Sequence, residues 1–288
     1  MSRRIFVFPG QGSQKRGMGA ELFPLFKEMT ALADAELGYS VEELCVRDTA
    51  NRLNQTQFTQ PALFTVNAFT FLNRITETGE LPDFVAGHSL GEYNALFAAG
   101  VFDFRTGLKL VQKRGELMSR ARGGAMAAVV GLTAEQIDGT LNAAGLTALD
   151  KANFNAPNQI VISGPEQEVI ASQQPLERAG AQLWKRLTVS AAFHSRYMAP
   201  AAQEFGQFLS SFRFASPKIP VIANVTARPY ELNSVHGNLA RQMTGSVRWT
   251  ESMAWLLEQP AAEFFEVGPG NVLTGLIRRI QSGSALAG

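Results

Sequence analysis

An α/β fold with a parallel sheet and a second, smaller α+β lobe is the architecture this sequence predicts, on two observations. Short apolar runs alternate with helical patterns towards both ends of the chain, the order of a parallel sheet covered on both faces. Between them, from Gly124 to Ser190, the order becomes β-α-β-β-α-β, the ferredoxin-like pattern. Residues 1–123 and 191–288 are therefore expected to form the larger domain and 124–190 an inserted small lobe. A cleft between the two is the natural place for a site.

The elements follow in chain order. "RIFVF" is a short apolar run broken by the turn "PGQGSQ", a buried strand and the loop after it. "DFVAGH" is a second such strand, and "LGEYNALFAAG" continues from it as a helix stopped by Gly100. "FRTGLKLVQKRGELMSRA" is a longer helix. In the lobe, "AMAAVVGL" reads as strand and "TAEQIDGTLNAAG" as helix, with Thr133 and Gln136 at capping-box spacing. "ALDKANF" and "QIVISG" are strands, "EQEVIASQQPLERAG" one helix, and "AQLWKRLTV" the lobe's last strand. "PVIANVT" and "EFFEVGPG" return to the parallel sheet, "NVLTGLIRRI" is a closing helix, and the tail "SGSALAG" is expected to fray.

Composition narrows the function classes. With 45% hydrophobic and 18% charged residues the chain can bury a sizeable core. Its 26 basic and 25 acidic residues leave a net charge of +1, which gives no reason to expect nucleic acid or an anionic membrane as main partner. The single cysteine, Cys45, excludes an intrachain disulfide and fits a reducing compartment, either as a small core hydrophobe or as a reactive thiol. The apolar run Ile5–Phe8 is too short for a secretory h-region, and no stretch reaches the roughly 18 apolar residues of a membrane span. Three histidines and one cysteine, none at ligand spacing, argue against a metal site. A cytoplasmic location is expected.

One stretch carries chemistry. "VAGHSLGEY" places Ser89 in Gly87-x-Ser89-x-Gly91 between an apolar strand and a helix, the spacing of a nucleophile elbow. A hydroxyl there sits at a helix N-terminus, where the dipole favours developing negative charge. Ser89 could equally be a helix N-cap. A serine nucleophile needs a base. His88 is its neighbour and should aim to the opposite face; His236, in "NSVHGN", lies in a polar stretch expected to be solvated. His194, in "SAAFHSRYM", falls where the lobe returns to the main sheet and is the best candidate. "GQGSQK" has two of the glycines of a dinucleotide fingerprint but lacks the third.

Arg114 stands on the wrong face of its helix. Val111, Met118 and Ala121 form an apolar stripe, Lys109, Lys113, Glu116 and Arg120 the polar one, and Arg114 falls on the apolar side. A guanidinium keeps its charge when buried and must find an anion. That anion is either internal, Glu92 on the preceding helix being one choice, or arrives with a substrate as a carboxylate.

"FPGQGSQ", "GHSLGEY", "QKRGELM", "AFHSRYM" and "EVGPG", in this order and spacing, resemble the malonyl-CoA:acyl carrier protein transacylase family over Ile5 to about Ile280. "FVAGHSLGEYNALFAAGVFDF" and "FHSRYM" are most similar to the free-standing acyltransferases that serve polyketide synthases lacking their own. The resemblance implies an α/β-hydrolase-like core with a ferredoxin-like lobe. It implies Ser89 as nucleophile, His194 as base, and Arg114 holding the free malonyl carboxylate. Backbone N–H groups of Gln11 and Leu90 would form the oxyanion hole, the Gln242 carbonyl would orient the histidine, and Phe193 would mark a malonyl-selective pocket.

Malonyl-CoA is then the substrate and an acyl carrier protein, bearing phosphopantetheine, the partner. No tightly bound cofactor, no metal and a monomer are implied. Three alternatives stay open: the same chemistry in fatty-acid synthesis, an acyl-thioester hydrolase of the same fold, and a non-catalytic docking subunit. Lys109, Lys113, Arg120, Arg196, Arg278 and Arg279 are the cations that could meet an acidic carrier protein.

Overall fold

The computed structural model describes residues 2–231 and 233–284. Eight strands are described: β1 (Arg3–Phe8), β2 (Phe84–Gly87), β3 (Gly124–Val130), β4 (Asp150–Ala156), β5 (Gln159–Pro165), β6 (Leu183–Arg186), β7 (Val221–Ile222) and β8 (Ala262–Glu266). They form two sheets. One, of order β7-β2-β1-β8, is parallel throughout; the other, β4-β5-β3-β6, is antiparallel throughout. The second order is the one a ferredoxin-like β-α-β-β-α-β chain produces.

Side-chain alternation along β1 decides how the parallel sheet is covered. Phe6 and Phe8 join a core with Phe64, Phe69, Phe71 and Phe104, while Ile5 and Val7 face the other side with Trp249, Met253, Leu276 and Ile277. Ile5, Phe6, Val7 and Phe8 are all fully buried, so every position of this run is apolar rather than every second one. The antiparallel sheet has its own core, in which Ile160 and Ile162 of β5 pack with Ile137, Val169 and Leu176.

The antiparallel sheet is also joined by backbone to the segment ahead of helix Trp249–Leu257. Val247 donates to the Ala152 carbonyl at 2.8 Å, and Phe154 donates to the Val247 carbonyl at 2.9 Å, so β4 continues onto the segment Ser246–Val247. Ser246 Oγ donates to the Lys151 carbonyl at 2.6 Å. This segment directly follows Gln242–Gly245, which contacts the catalytic histidine candidate.

Several elements differ from the sequence reading. "EQEVIASQQPLERAG" forms two helices, Glu166–Ala171 and Gln173–Arg178, because Pro175 has no N–H for the Ala171 carbonyl. "PVIANVT" yields only the two-residue β7; after it the chain turns, with Ala227 at φ 54° and the Ala223 N–H on the Arg228 carbonyl. That turn leaves Asn224 facing the elbow. The tail is helical through Ser284 within Val272–Ser284, and 285–288 lie outside the described residues. Helices Lys27–Leu37, Val41–Val46 and Thr56–Thr78, all ahead of β2, have no counterpart in the sequence reading. No described helix is long and apolar enough to cross a membrane, and no described cluster of His, Cys, Asp and Glu could hold a metal. Cys45 is buried, and burial pushes its thiol well up, which makes it a core residue rather than a reactive one.

Candidate active site

The turn after β2 is built by what its glycines lack. A Cβ on Gly91 would lie 2.0 Å from the Phe8 carbonyl oxygen, and one on Gly87 would lie 1.9 Å from the Gly91 carbonyl carbon. Only hydrogen fits at either position, so helix Gly91–Ala98 can start directly behind the strand. Between them Ser89 is held at φ 51°, a left-handed conformation that costs about 1–3 kcal/mol for a side-chain-bearing residue. Asn224 holds it there: its Oδ1 accepts the Ser89 N–H at 2.8 Å and its Nδ2 donates to the Gly87 carbonyl at 2.7 Å. Two hydrogen bonds from one buried side chain bracket the turn.

His194 meets the hydroxyl. Its Nε2 lies 2.8 Å from Ser89 Oγ, and its Nδ1 lies 2.8 Å from the Gln242 carbonyl and 3.2 Å from the Gly245 carbonyl. Carbonyl oxygens only accept, so Nδ1 carries the proton and Nε2 is free to accept from the serine. The backbone at His194 is left-handed too, at φ 56°, and is braced by Ser163 Oγ donating to the Phe193 carbonyl at 2.8 Å. Among the described residues no acid contacts the imidazole, and backbone carbonyls hold its Nδ1.

Burial, and after it the charge of Arg114, hold His194 down at about 3 from its ordinary 6.5. Between those values the unfolded chain binds a proton that the folded one does not. Stability therefore falls as pH drops through this window. The base, by contrast, stays neutral. The acylation rate at saturating substrate should stay flat, within about twofold, from about pH 8 to about pH 6 in a rapid-mixing experiment. A break near the ordinary histidine value would contradict this environment.

Arg114 is fully buried on helix Phe104–Arg120. Its Nη1 donates to Gln60 Oε1 at 2.9 Å, and its Nη2 donates to Gln242 Oε1 at 2.9 Å and Ser89 Oγ at 3.1 Å. Its carbon lies 5.5 Å from the Tyr93 ring centre. It does not ion-pair with Glu92 among the described residues; Gln242 stands between, donating to Glu92 and accepting from Arg114. Every oxygen that contacts the guanidinium is neutral. A buried cation thus lies beside the serine hydroxyl with no carboxylate in contact with it among the described residues.

The cleft at this point is small, about 90 Å3, and is lined by Gln11, His88, Ser89, Met118, Met126, Asn153, Leu187, Val189, Phe193 and His194. A larger groove of about 680 Å3 shares Leu187 and Val189 with it and runs past Thr56, Ser119, Arg122 and Arg186. Gln11 lies at the cleft in the loop after β1, its Nε2 donating to Thr56 Oγ1 at 3.2 Å. Leu90 follows the serine at the helix N-terminus, where first-turn N–H groups have no acceptor within the helix.

The other histidines are elsewhere. His88 turns to Asn155 Oδ1 at 2.8 Å and to Trp249, not to the Ser89 hydroxyl. His236 was expected in a solvated loop; it lies on helix Val235–Gln242 with Nε2 donating to the Phe212 carbonyl at 3.0 Å and its ring against Phe214. Gln60, Asn224, Tyr230 and the side chain of Gln242 were not anticipated. Asn224, polar at the end of an apolar strand, and Gln60, polar within "QPALF", were the available signals.

Comparison with known proteins comes down on one family. The acyl transferase domain family matches residues 5–283. The polyketide biosynthesis malonyl CoA-acyl carrier protein transacylase BaeC of Bacillus velezensis is 54% identical over 278 residues, 96% of each chain. The crystal structure of a malonyl CoA-acyl carrier protein transacylase from Burkholderia pseudomallei superposes with a TM-score of 0.95 at 52% identity, over 98% of this chain and 99% of that one. A malonyl-transacylase solved in complex with its type II polyketide acyl carrier protein gives 0.93 at 37% identity, over 98% and 94%.

Proposed function

Because the chain belongs to the acyl transferase domain family, we propose that it is a malonyl-CoA:acyl carrier protein transacylase, loading malonyl groups in trans for a polyketide synthase. The observation that carries the reading is a fully buried arginine, in contact with neutral oxygens only, 3.1 Å from a serine hydroxyl that a neutral histidine also holds.

Transfer takes two half-reactions. Ser89 Oγ passes its proton to His194 Nε2 and bonds to the thioester carbon of malonyl-CoA, whose oxygen becomes an anion. N–H groups of Gln11 and Leu90 receive that anion; one such donor is worth about 3 kcal/mol. The carbon–sulfur bond breaks, and the proton on His194 goes to the coenzyme A thiolate, leaving a malonyl ester on Ser89. The carrier protein's phosphopantetheine thiol then gives its proton to His194, and its sulfur attacks the ester. Oγ leaves and recovers the proton. The Gln242 carbonyl holds the imidazole in one tautomer throughout.

Arg114 selects the diacid. A guanidinium can hold a carboxylate by two parallel N–H bonds, and the Nη2 that donates to Ser89 Oγ at 3.1 Å puts one such donor beside the reacting hydroxyl. Met118, Met126 and Phe193 fill the acyl end, which leaves little room for a branch on the malonyl carbon. The groove beyond Leu187 suits an amide-rich phosphopantetheine arm common to coenzyme A and carrier protein. Of the surface cations, Lys109, Lys113, Arg120 and Arg196 are paired with Glu36, Glu204, Glu116 and Asp150. Exposed pairs of this kind are worth at most about 1 kcal/mol and can re-form on an acidic partner.

The test is the fate of the malonyl group when protein, malonyl-CoA and a phosphopantetheinylated carrier protein are mixed. Malonyl-carrier protein is expected to form in step with free coenzyme A, with free malonate a minor product. Malonate release at the same rate with or without carrier protein would instead make the protein a thioester hydrolase.

A further inference from the structure

Beneath the nucleophile lies a buried carboxylate that neither half-reaction uses. Glu92, on the first turn of helix Gly91–Ala98, is fully enclosed. All its partners donate to it: the Tyr230 hydroxyl at 2.6 Å and the Asn224 N–H at 3.1 Å to Oε1, and Gln242 Nε2 to Oε2. An amide N–H can only donate, so an ionised carboxylate is the form that accepts all three. Two of these donors lead on to reacting groups. Asn224 brackets the Ser89 turn. Gln242 donates its second Nε2 hydrogen to the Ser89 carbonyl at 2.9 Å, while its Oε1 accepts from Arg114 and its backbone carbonyl accepts from His194.

The amide of Gln242 has two orientations, and only one faces its oxygen to Arg114. In the other, an NH2 group would meet the guanidinium, donor against donor. Glu92 and the Ser89 carbonyl select between them together, because both accept only from the NH2 side. We propose that Glu92 is a positioning residue for diacid selectivity: it fixes the orientation of Gln242, and through it the fork of Arg114. The inference rests on the reading of Arg114 as the clamp for the malonyl carboxylate.

The ionisable groups facing Glu92 are Tyr230, Arg114 and Tyr93. Burial raises its carboxyl to about 7, against the hydrogen bonds from Tyr230, Gln242 and Asn224 and the charge of Arg114, which lower it. Below that pH the protonated oxygen offers a donor to Gln242 and the selection weakens. The KM for malonyl-CoA should therefore rise as pH falls through about 7, while that for acetyl-CoA, which makes no use of the fork, stays level.

Steady-state kinetics with both thioesters test this in wild type, Glu92→Gln, Glu92→Asp, Tyr230→Phe and Arg114→Ala. Glu92→Gln, nearly the same shape, puts an NH2 where Gln242 needs an acceptor. It should raise the malonyl-CoA KM about tenfold and leave acetyl-CoA within about twofold. Glu92→Asp should recover part of the loss, and Tyr230→Phe, which removes one donor, should move the acid limb of the malonyl profile to higher pH. The inference is overturned if Glu92→Gln affects both thioesters equally or neither, while Arg114→Ala still erases the malonyl preference. Should Glu92→Gln not fold, the wild-type and Tyr230→Phe profiles decide alone: no acid limb specific to malonyl-CoA overturns it. An Arg114→Ala enzyme that keeps the preference would sink the clamp itself.

Discussion

Ser89→Ala is expected to lower turnover by a factor on the order of 10^6, the loss found when a serine nucleophile is removed from a preorganised site. Coenzyme A release on rapid mixing with malonyl-CoA loses its burst entirely. The fold survives, because the turn is held by the Ser89 N–H on Asn224 and by the close approach of Gly91 to Phe8, not by the hydroxyl. An unchanged melting temperature with no burst separates loss of chemistry from loss of structure. A burst that persisted would place the acyl group elsewhere.

Arg114→Ala acts on choice rather than on chemistry. The malonyl carboxylate then enters the cleft with no cation, and a buried charge stripped of its partner costs about 3–5 kcal/mol. The expected loss in kcat/KM for malonyl-CoA is about 10^2 to 10^3-fold, with acetyl-CoA unaffected or improved. A second consequence follows from the site's electrostatics. Arg114 is, after burial, the main influence lowering His194, so its removal lets the imidazole titrate closer to 6.5. The acetyl acylation rate of the variant should fall on the acid side at a higher pH than in wild type. Equal loss for both thioesters would mean that Arg114 holds the site together rather than reading the substrate.

What the sequence disclosed is what local pattern controls. The unbroken apolar run Ile5–Phe8, the elbow spacing and the capping box of Thr133 and Gln136 each depend on a few neighbouring residues, and each is present as read. Arg114 was visible because a single charge interrupts an amphipathic stripe on its helix. Helix Thr56–Thr78 offered no such contrast: residues from Thr59 to Phe69 are buried all round, so no polar stripe marks a period, and Pro61 imitates a break. The supports of the site were hidden for another reason. Gln60, Glu92, Asn224, Tyr230 and Gln242 come from separate parts of the chain and are ordinary polar residues until the fold puts them together. Gln242 illustrates the limit most clearly. Its backbone carbonyl could be inferred by resemblance, but that its side chain also spans Arg114, Ser89 and Glu92 is a fact of packing.

In the proposed function Ser89 accepts malonyl and Arg114 chooses it over acetyl. Intact-protein mass spectrometry after brief mixing with equal amounts of malonyl-CoA and acetyl-CoA tests it most directly, with peptide mapping of the adduct. A malonyl ester on Ser89 as the dominant species in wild type, giving way to acetyl in Arg114→Ala, is the predicted result. Malonyl and acetyl adducts in the proportions offered, or an adduct on any other residue, would contradict it.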